Sequence, residues 1–325
     1  MICRFVNQSP ITSHQSQKMN IRRIKREDIE DKKWNGCIHY ASNGNPYGYT
    51  WHLDAISEEW EGLVEGDYES VFPLIWNDKL KITKQLYQPF FAQQLGIYSI
   101  NMLSKKRIEY FLNAIPNEYK YIYINVNHKN KIPEGLDFEI VERPNYTLRM
   151  MDGYENISAK YSKNLKRNLK RARTHKMSMT SSIKPEKLVE MYREHQGPKI
   201  PELDDAAYHA AHRVIYNALH RGMGFLSAIT NEQNSIIAAG FFLTSKNRIV
   251  NLLPTTTPEG REKRAMHVLL DRLIHQNAGK PMIFDFEGSS VPGVAKFYES
   301  FGAVNNPYYT IKRNNLPFFA KWFKK

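Results

Sequence analysis

The segment from Pro281 to Ala303 constrains this chain more than any other part of it. It opens Pro281-Met282-Ile283-Phe284-Asp285-Phe286-Glu287-Gly288-Ser289-Ser290 and closes Phe301-Gly302-Ala303. A short apolar run, a Gly-Ser turn and an amphipathic run ended by glycine predict a strand, a turn and a helix. Ser289 or Ser290 suits the helix N-cap, and Pro292 suits its first turn. Gly302 suits the left-handed residue that stops a helix. Val294, Ala295, Tyr298 and Phe301 recur at helical spacing, which turns the Tyr298 phenol inward with them. On the strand, Asp285 and Glu287 share one face, while Phe284 and Phe286 take the other. A strand end, a helix N-terminus and a phenol this close together form a candidate acyl-transfer site.

The 325 residues leave room for two ordinary domains. In the first half, Gly36–Tyr40, Tyr49–Leu53, Ser70–Trp76, Lys81–Gln88 and Tyr121–Val126 read as strands, with one helix over about Lys105–Ile115. The second half reads as helices at Ser162–Thr174, after Lys184 and up to His220, then strands Gly224–Thr230, Ile236–Thr244 and Arg248–Leu253. A long helix over Glu259–Asn277, the strand–turn–helix above and a last strand, Tyr308–Arg313, complete it. The turn at Met151-Asp152-Gly153 places the boundary there: residues 19–152 form one domain and residues 153–325 the other. Residues 1–18 are polar and read as a disordered lead-in, or as an upstream start before Met19. Two cysteines, Cys3 and Cys37, exclude a disulfide framework and fit a reducing, cytoplasmic setting. No apolar run approaches the roughly 18–20 residues of a membrane span.

The net charge is +13, and eight basic residues fall between Lys160 and Lys176 with no acid among them. Tyr161, Leu165, Leu169 and Ala172 make an apolar stripe along the same stretch, so the helix packs on one side and presents its cations on the other. A phosphorylated partner fits such a face, whether tRNA, coenzyme A, a nucleotide-linked precursor or an anionic membrane surface; a solvated helix is the alternative.

The order of elements resembles the GCN5-related N-acetyltransferase (GNAT) fold, and Ala295-Lys296-Phe297-Tyr298-Glu299-Ser300-Phe301-Gly302 resembles its last motif, a helix with a tyrosine four residues before a glycine. Three further words make the chain similar to two-domain FemAB-type relatives. These are Tyr87-Gln88-Pro89-Phe90-Phe91 with Gln94-Leu95-Gly96-Ile97, then Asn164 to Ala172, then Phe284 to Ser289. The resemblance implies an α/β protein of tandem GNAT-like domains with mixed, mostly antiparallel sheets. It implies transfer of an acyl or aminoacyl group from acyl-CoA or aminoacyl-tRNA to an amine, with Tyr298 as the leaving-group acid. The GNAT pyrophosphate loop, Arg/Gln-x-x-Gly-x-Gly/Ala, corresponds to Gly260-Arg261-Glu262-Lys263-Arg264-Ala265-Met266. Arg261 matches its first position, but Arg264 and Met266 replace small residues and obstruct the backbone's approach to a pyrophosphate. Side chains of Arg261 and Arg264, with Lys163 and Arg167, are the substitute donor-phosphate ligands.

Each candidate carries a plainer reading beside the chemical one. Tyr298 is a leaving-group acid or a core tyrosine. Asp285 and Glu287 are a base and amine anchor, or a face paired with Lys312 or Arg313. Gln88, Phe90 and Gln93 line a substrate cleft together with Ser289, or they form a buried loop. His52 and Asp54, two apart on the expected strand, are a weak base pair. No metal-ligand motif, P-loop or serine-hydrolase elbow occurs in the sequence. A catalytically degenerate GNAT-fold protein that binds RNA or anionic lipid through the basic helix is the second functional reading.

Overall fold

The computed structural model describes residues 19–78, 83–288 and 291–317. Ser289, Ser290 and the lead-in of residues 1–18 lie outside the described residues. The first half carries β1 (Ile21–Lys25), β2 (Trp60–Glu65), β3 (Ser70–Asn77), β4 (Gln85–Tyr87), β5 (Tyr98–Ser99), β6 (Tyr121–Val126) and β7 (Glu139–Arg143). The second carries β8 (Tyr146–Arg149), β9 (Ser178–Thr180), β10 (Gly224–Thr230), β11 (Ile236–Ser245), β12 (Arg248–Asn251), β13 (Thr255–Thr256), β14 (Ile283–Asp285) and β15 (Val304–Asn305). The last strand, β16 (Tyr308–Asn314), does not stay with the second half as expected. It returns to the first sheet and pairs between β6 and β7. Among the described residues this gives two mixed sheets of eight strands, in the orders β1-β2-β3-β4-β6-β16-β7 and β15-β8-β14-β12-β11-β10-β9, mostly antiparallel.

Helices α1 (Asp31–Tyr40), α2 (Thr50–Ile56) and α3 (Lys105–Asn113) belong to the first half, and α4 (Tyr154–Ala159), α5 (Lys163–Ala172), α6 (Pro185–His195) and α7 (Asp205–His220) follow. Then come α8 (Pro258–Glu262), α9 (Ala265–Asn277) and α10 (Pro292–Glu299). The amphipathic reading of α3 holds: Ile108, Phe111, Leu112 and Ile115 are all buried. Two segments expected as strands, Gly36–Tyr40 and Tyr49–Leu53, are helical instead. In α1 the buried residues Trp34, Cys37 and Ile38 follow helical spacing. Nearly every side chain of α2 is buried, since it is wedged between the halves against α7. A helix covered all round shows no polar face, which is why its sequence reads as a strand. His52 and Asp54 therefore lie about 200° apart around a helix and make no pair. His52 is buried, while Asp54 reaches Arg26 and the Trp60 indole.

One apolar cluster runs through both halves, from Trp34 and Trp51 to Val214 and Phe241, so the interface is part of the core. The helix expected over Glu259–Asn277 is broken in two. Arg264 sits at φ +63, in the left-handed region, between α8 and α9. Gly260 is the tight point of α8: a Cβ there would stand 1.9 Å from the Ile237 carbonyl oxygen of β11. Gly260→Ala is expected to destabilise the protein by about 1–3 kcal/mol in chemical denaturation, because backbone rather than a yielding side chain stands in the way. At α10 the expected serine cap is replaced by Val291, which makes no side-chain capping bond, while Pro292 takes the first turn and Gly302 (φ +78) follows the helix as expected.

Candidate active site between the two halves

β12 and β14 run parallel and stay in register only through Val250 opposite Asp285. Beyond that point they part. The N–H groups of Leu252 and Leu253 both turn to the Phe241 carbonyl, and the Phe286 N–H goes to the Tyr146 carbonyl. Asn251 stands at the fork, buried, with neither amide atom partnered among the described residues.

At the end of β14, Asp285 is buried and paired with Arg248 of β12, not with Lys312 or Arg313. Its Oδ1 accepts the Glu287 N–H at 2.9 Å. Glu287 adopts φ +61, a conformation that costs a side-chain-bearing residue about 1–2 kcal/mol. This bend carries its carboxylate to the first half, where Oε1 accepts the hydroxyl of Tyr47. Tyr47 is itself held in place. Asn45 Oδ1 accepts its N–H at 3.1 Å and the Tyr98 hydroxyl at 2.9 Å. Loss of water raises the Glu287 carboxyl most, the Tyr47 hydrogen bond lowers it and the Asp285 charge raises it again, leaving it at about 8. Tyr47→Phe removes the one lowering influence, so the Glu287 titration is expected to move to higher pH, as followed by carboxyl infrared absorption in the variant.

Glu287 lines a cavity of about 200 Å³ together with Gln88, Phe90, Gln93, Phe91, Tyr192 and Leu252. Three residues expected at a cleft thus meet the expected carboxylate. Their roles differ. The Gln88 amide is occupied in holding its own loop, donating to the Ala92 carbonyl and accepting the Asn125 N–H at 2.7 Å. Phe91, at φ +62, is pinned by His52, whose Nε2 donates to its carbonyl at 2.9 Å. Burial pushes His52 down to about 4, so it is neutral and the proton needed for that bond sits on Nε2.

Tyr298 is 8% exposed, and its ring stacks on Phe286 with centroids 5.0 Å apart. Its hydroxyl has no hydrogen-bond partner among the described residues. Burial raises its pKa, and the nearby Glu287 and Tyr192, both cavity residues, raise it further.

The basic helix α5 is capped by Ser162 and packs through Leu165 and Ala172, with Lys163, Lys166, Arg167, Lys170 and Arg171 exposed. Of the eight cations from Lys160 to Lys176, only Lys160 forms an ion pair among the described residues, with Asp152 at 3.1 Å. Asn168 reaches His267 of α9 at 3.4 Å, and the His267 ring meets Phe297 of α10 at 4.8 Å. The basic helix, the first turn of α9 and the helix bearing Tyr298 therefore converge. Arg261 donates to the Thr256 carbonyl at 3.1 Å and Arg264 to the Arg261 carbonyl at 2.6 Å. Ala265, the first residue of α9, is buried.

Tyr47, Tyr192, Arg248 and Asn251 are site residues that sequence reasoning missed. Arg248 alone leaves a local trace, a charge on the same strand face as Val250. Among the described residues no group of three or more His, Cys, Asp or Glu is placed to hold a metal, and no helix is long and apolar enough to cross a membrane.

No protein-family model matches the sequence, and no curated protein matches it. Solved structures do match the fold. FemX superposes with a TM-score of 0.64 at 11% identity, covering 89% of this chain and 96% of that one. L-PGS from Bacillus licheniformis gives 0.55 at 12% identity, covering 90% and 94%. A tandem GNAT protein from the clavulanic acid biosynthesis pathway gives 0.52 at 9% identity, covering 92% and 99%. The chain has the FemAB-type, tandem GNAT-like fold.

Proposed function

We propose that the protein is an acyltransferase that moves an acyl or aminoacyl group from an activated donor, acyl-CoA or aminoacyl-tRNA, to an amine. The observation that carries this reading is Glu287: a carboxyl held at about 8, at the wall of a cavity between the halves, one residue after the Phe286 ring on which Tyr298 stacks. A base that titrates near 8 matches an amine that must lose a proton near neutral pH. The amine nitrogen attacks the donor carbonyl carbon, and Glu287 takes the amine proton. The bond from carbon to the thioester sulfur or ribose oxygen breaks, and Tyr298 protonates the departing atom. Asp285 serves as a positioning residue, since both its oxygens are engaged by Arg248 and the Glu287 N–H. Phe90 and Gln93 line the acceptor side, with Ser289 as a further candidate acceptor contact. Arg261 and Arg264, at the junction of α8 and α9 between Gly260 and Ala265, hold donor phosphates together with Lys163 and Arg167 of α5. A cytoplasmic setting fits such donors.

The unpaired cations of α5 favour one other reading, a degenerate member of this fold that binds RNA or anionic lipid without catalysis. Calorimetric titration with acetyl-coenzyme A, aminoacyl-tRNA, bulk RNA and anionic vesicles separates the two. The transferase reading expects saturable binding of one activated donor. Steeply salt-dependent binding of bulk RNA, or binding of vesicles, with no donor preference overturns it.

A further inference from the structure

Apolar side chains from several separate segments wall the cavity that Glu287 lines. Phe90 and Phe91 come from the loop after β4, Tyr192 from α6, Ile200 and Leu203 from the link between α6 and α7, and Leu252 from the fork after β12. The backbone bonds of these segments are made elsewhere. The Leu203 N–H closes a turn on the Ile200 carbonyl at 3.0 Å, and the Leu252 N–H reaches the Phe241 carbonyl at 3.1 Å. The Phe90 and Phe91 rings lie with centroids 6.2 Å apart.

The polar part of the lining is largely spent. Gln88 holds its own loop, and Gln93 Oε1 accepts the Gln94 side chain at 2.8 Å. The Glu287 carboxylate keeps one oxygen: Oε1 takes the Tyr47 hydroxyl, and Oε2 forms no hydrogen bond among the described residues. Among the described residues no lysine, arginine or histidine lines this space. Arg248, the cation of β12, is paired with Asp285 and lines a different cavity.

A single anion in an apolar, cation-free space selects its ligand by charge. An ammonium meets Oε2 with the opposite sign, and the hydrocarbon attached to it covers the walls. A carboxylate on the carbon next to that ammonium, as in a free amino acid, would lose its water beside Glu287 and find no cation. Resting on the transferase reading above, we propose that the acceptor is an apolar primary amine, an alkyl- or arylalkylamine without a neighbouring carboxylate, whose nitrogen sits at Glu287 Oε2 and whose hydrocarbon lies against Phe90, Tyr192 and Leu203. Bound as an ammonium, it releases one proton through the Glu287 carboxylate to solvent. The neutral amine then attacks the donor carbonyl and gives Glu287 its second proton, and the product is an N-substituted amide.

Calorimetry of the full chain at pH 8.5, where most Glu287 carboxyls are ionised, tests the preference with matched ligands. These are 2-phenylethylamine, phenylalanine, which adds only a carboxylate, and 2-phenylethanol, which exchanges the amine for a hydroxyl. The amine is expected to bind at least about 100-fold more tightly than phenylalanine and about tenfold more tightly than the alcohol. Along ethylamine, butylamine and hexylamine, each added methylene should tighten binding by about three- to fourfold. Glu287→Gln should weaken the amine about tenfold and leave the alcohol unchanged. Phe90→Ala, at a wall position that is 40% exposed, should weaken amine and alcohol alike. Phenylalanine binding as tightly as 2-phenylethylamine, no gain with chain length, or no binding of any amine up to its solubility would overturn the proposal. Acyl transfer to the same ligands from acetyl-coenzyme A or aminoacyl-tRNA keeps the two readings apart. Transfer that prefers the carboxylate-bearing amine overturns this proposal and leaves the transferase reading standing. Selective binding of apolar amines with no transfer from either donor overturns the transferase reading and leaves the cavity as a binding site for such amines.

Discussion

Glu287→Gln is expected to lower amine acylation by about 10²–10⁴-fold, the usual contribution of a positioned general base. The amide keeps the shape of the carboxyl and can accept the Tyr47 hydroxyl, so the loss would not come from collapse of the interface. In the unmodified protein the rate should rise with pH, pass its half-maximum near pH 8, where Glu287 is half ionised, and level off above that. The same substitution has a stability signature of definite sign. The folded chain holds a proton on Glu287 up to about 8, whereas the unfolded chain releases it near the ordinary value of 4.5. Between those values the native state binds more protons, so the stability this group contributes falls by about 1.4 kcal/mol per pH unit as pH rises. Glutamine has no proton to hold. Denaturation midpoints of the variant should therefore gain on those of the unmodified protein from pH 5 to pH 8 and run parallel above that. Parallel midpoints throughout would show that the Glu287 carboxyl is ionised in the native state across this range.

Tyr298→Phe is expected to lower turnover by about 10²-fold while donor Kd changes little, because the hydroxyl acts on the leaving atom and not on the donor's phosphates. Its ring contacts with Phe286 and Tyr146 survive in phenylalanine, so stability should hold. A donor whose leaving group needs no proton should recover much of the lost rate. Turnover unchanged with an ordinary donor would remove Tyr298 from the chemistry and leave it as a core residue.

Much of the fold is legible in the sequence wherever an element has one wet face or sharp ends. Gly224–Thr230 and Tyr121–Val126 are strands over the expected residues, because turn residues bound them. The stripe on α5 packs as its spacing implies. Helix α2 is not legible, since burial on nearly every side hides the 3.6-residue period, and α1 is missed because the expected segment starts at Gly36 and leaves out Trp34, the first residue of its buried stripe. The return of β16 to the first sheet leaves no local mark either, because strand composition does not say which neighbour a strand will find. The site divides in the same way. Tyr298, Asp285 and Glu287 are legible because they lie on one strand–turn–helix, and Gln88, Phe90 and Gln93 because amides and aromatics cluster after a strand. Tyr47 is not: it follows a turn, and its partner is 240 residues away.

The central claim is that one cleft presents a base and an acid to the two sides of a carbonyl. A crystal structure with a bisubstrate analogue, the acyl donor joined covalently to an amine, tests this most directly. The account predicts the amine nitrogen within about 3 Å of a Glu287 oxygen, and the sulfur or ester oxygen within hydrogen-bond reach of the Tyr298 hydroxyl. An analogue seated elsewhere, or one whose reacting atoms face neither residue, would contradict it.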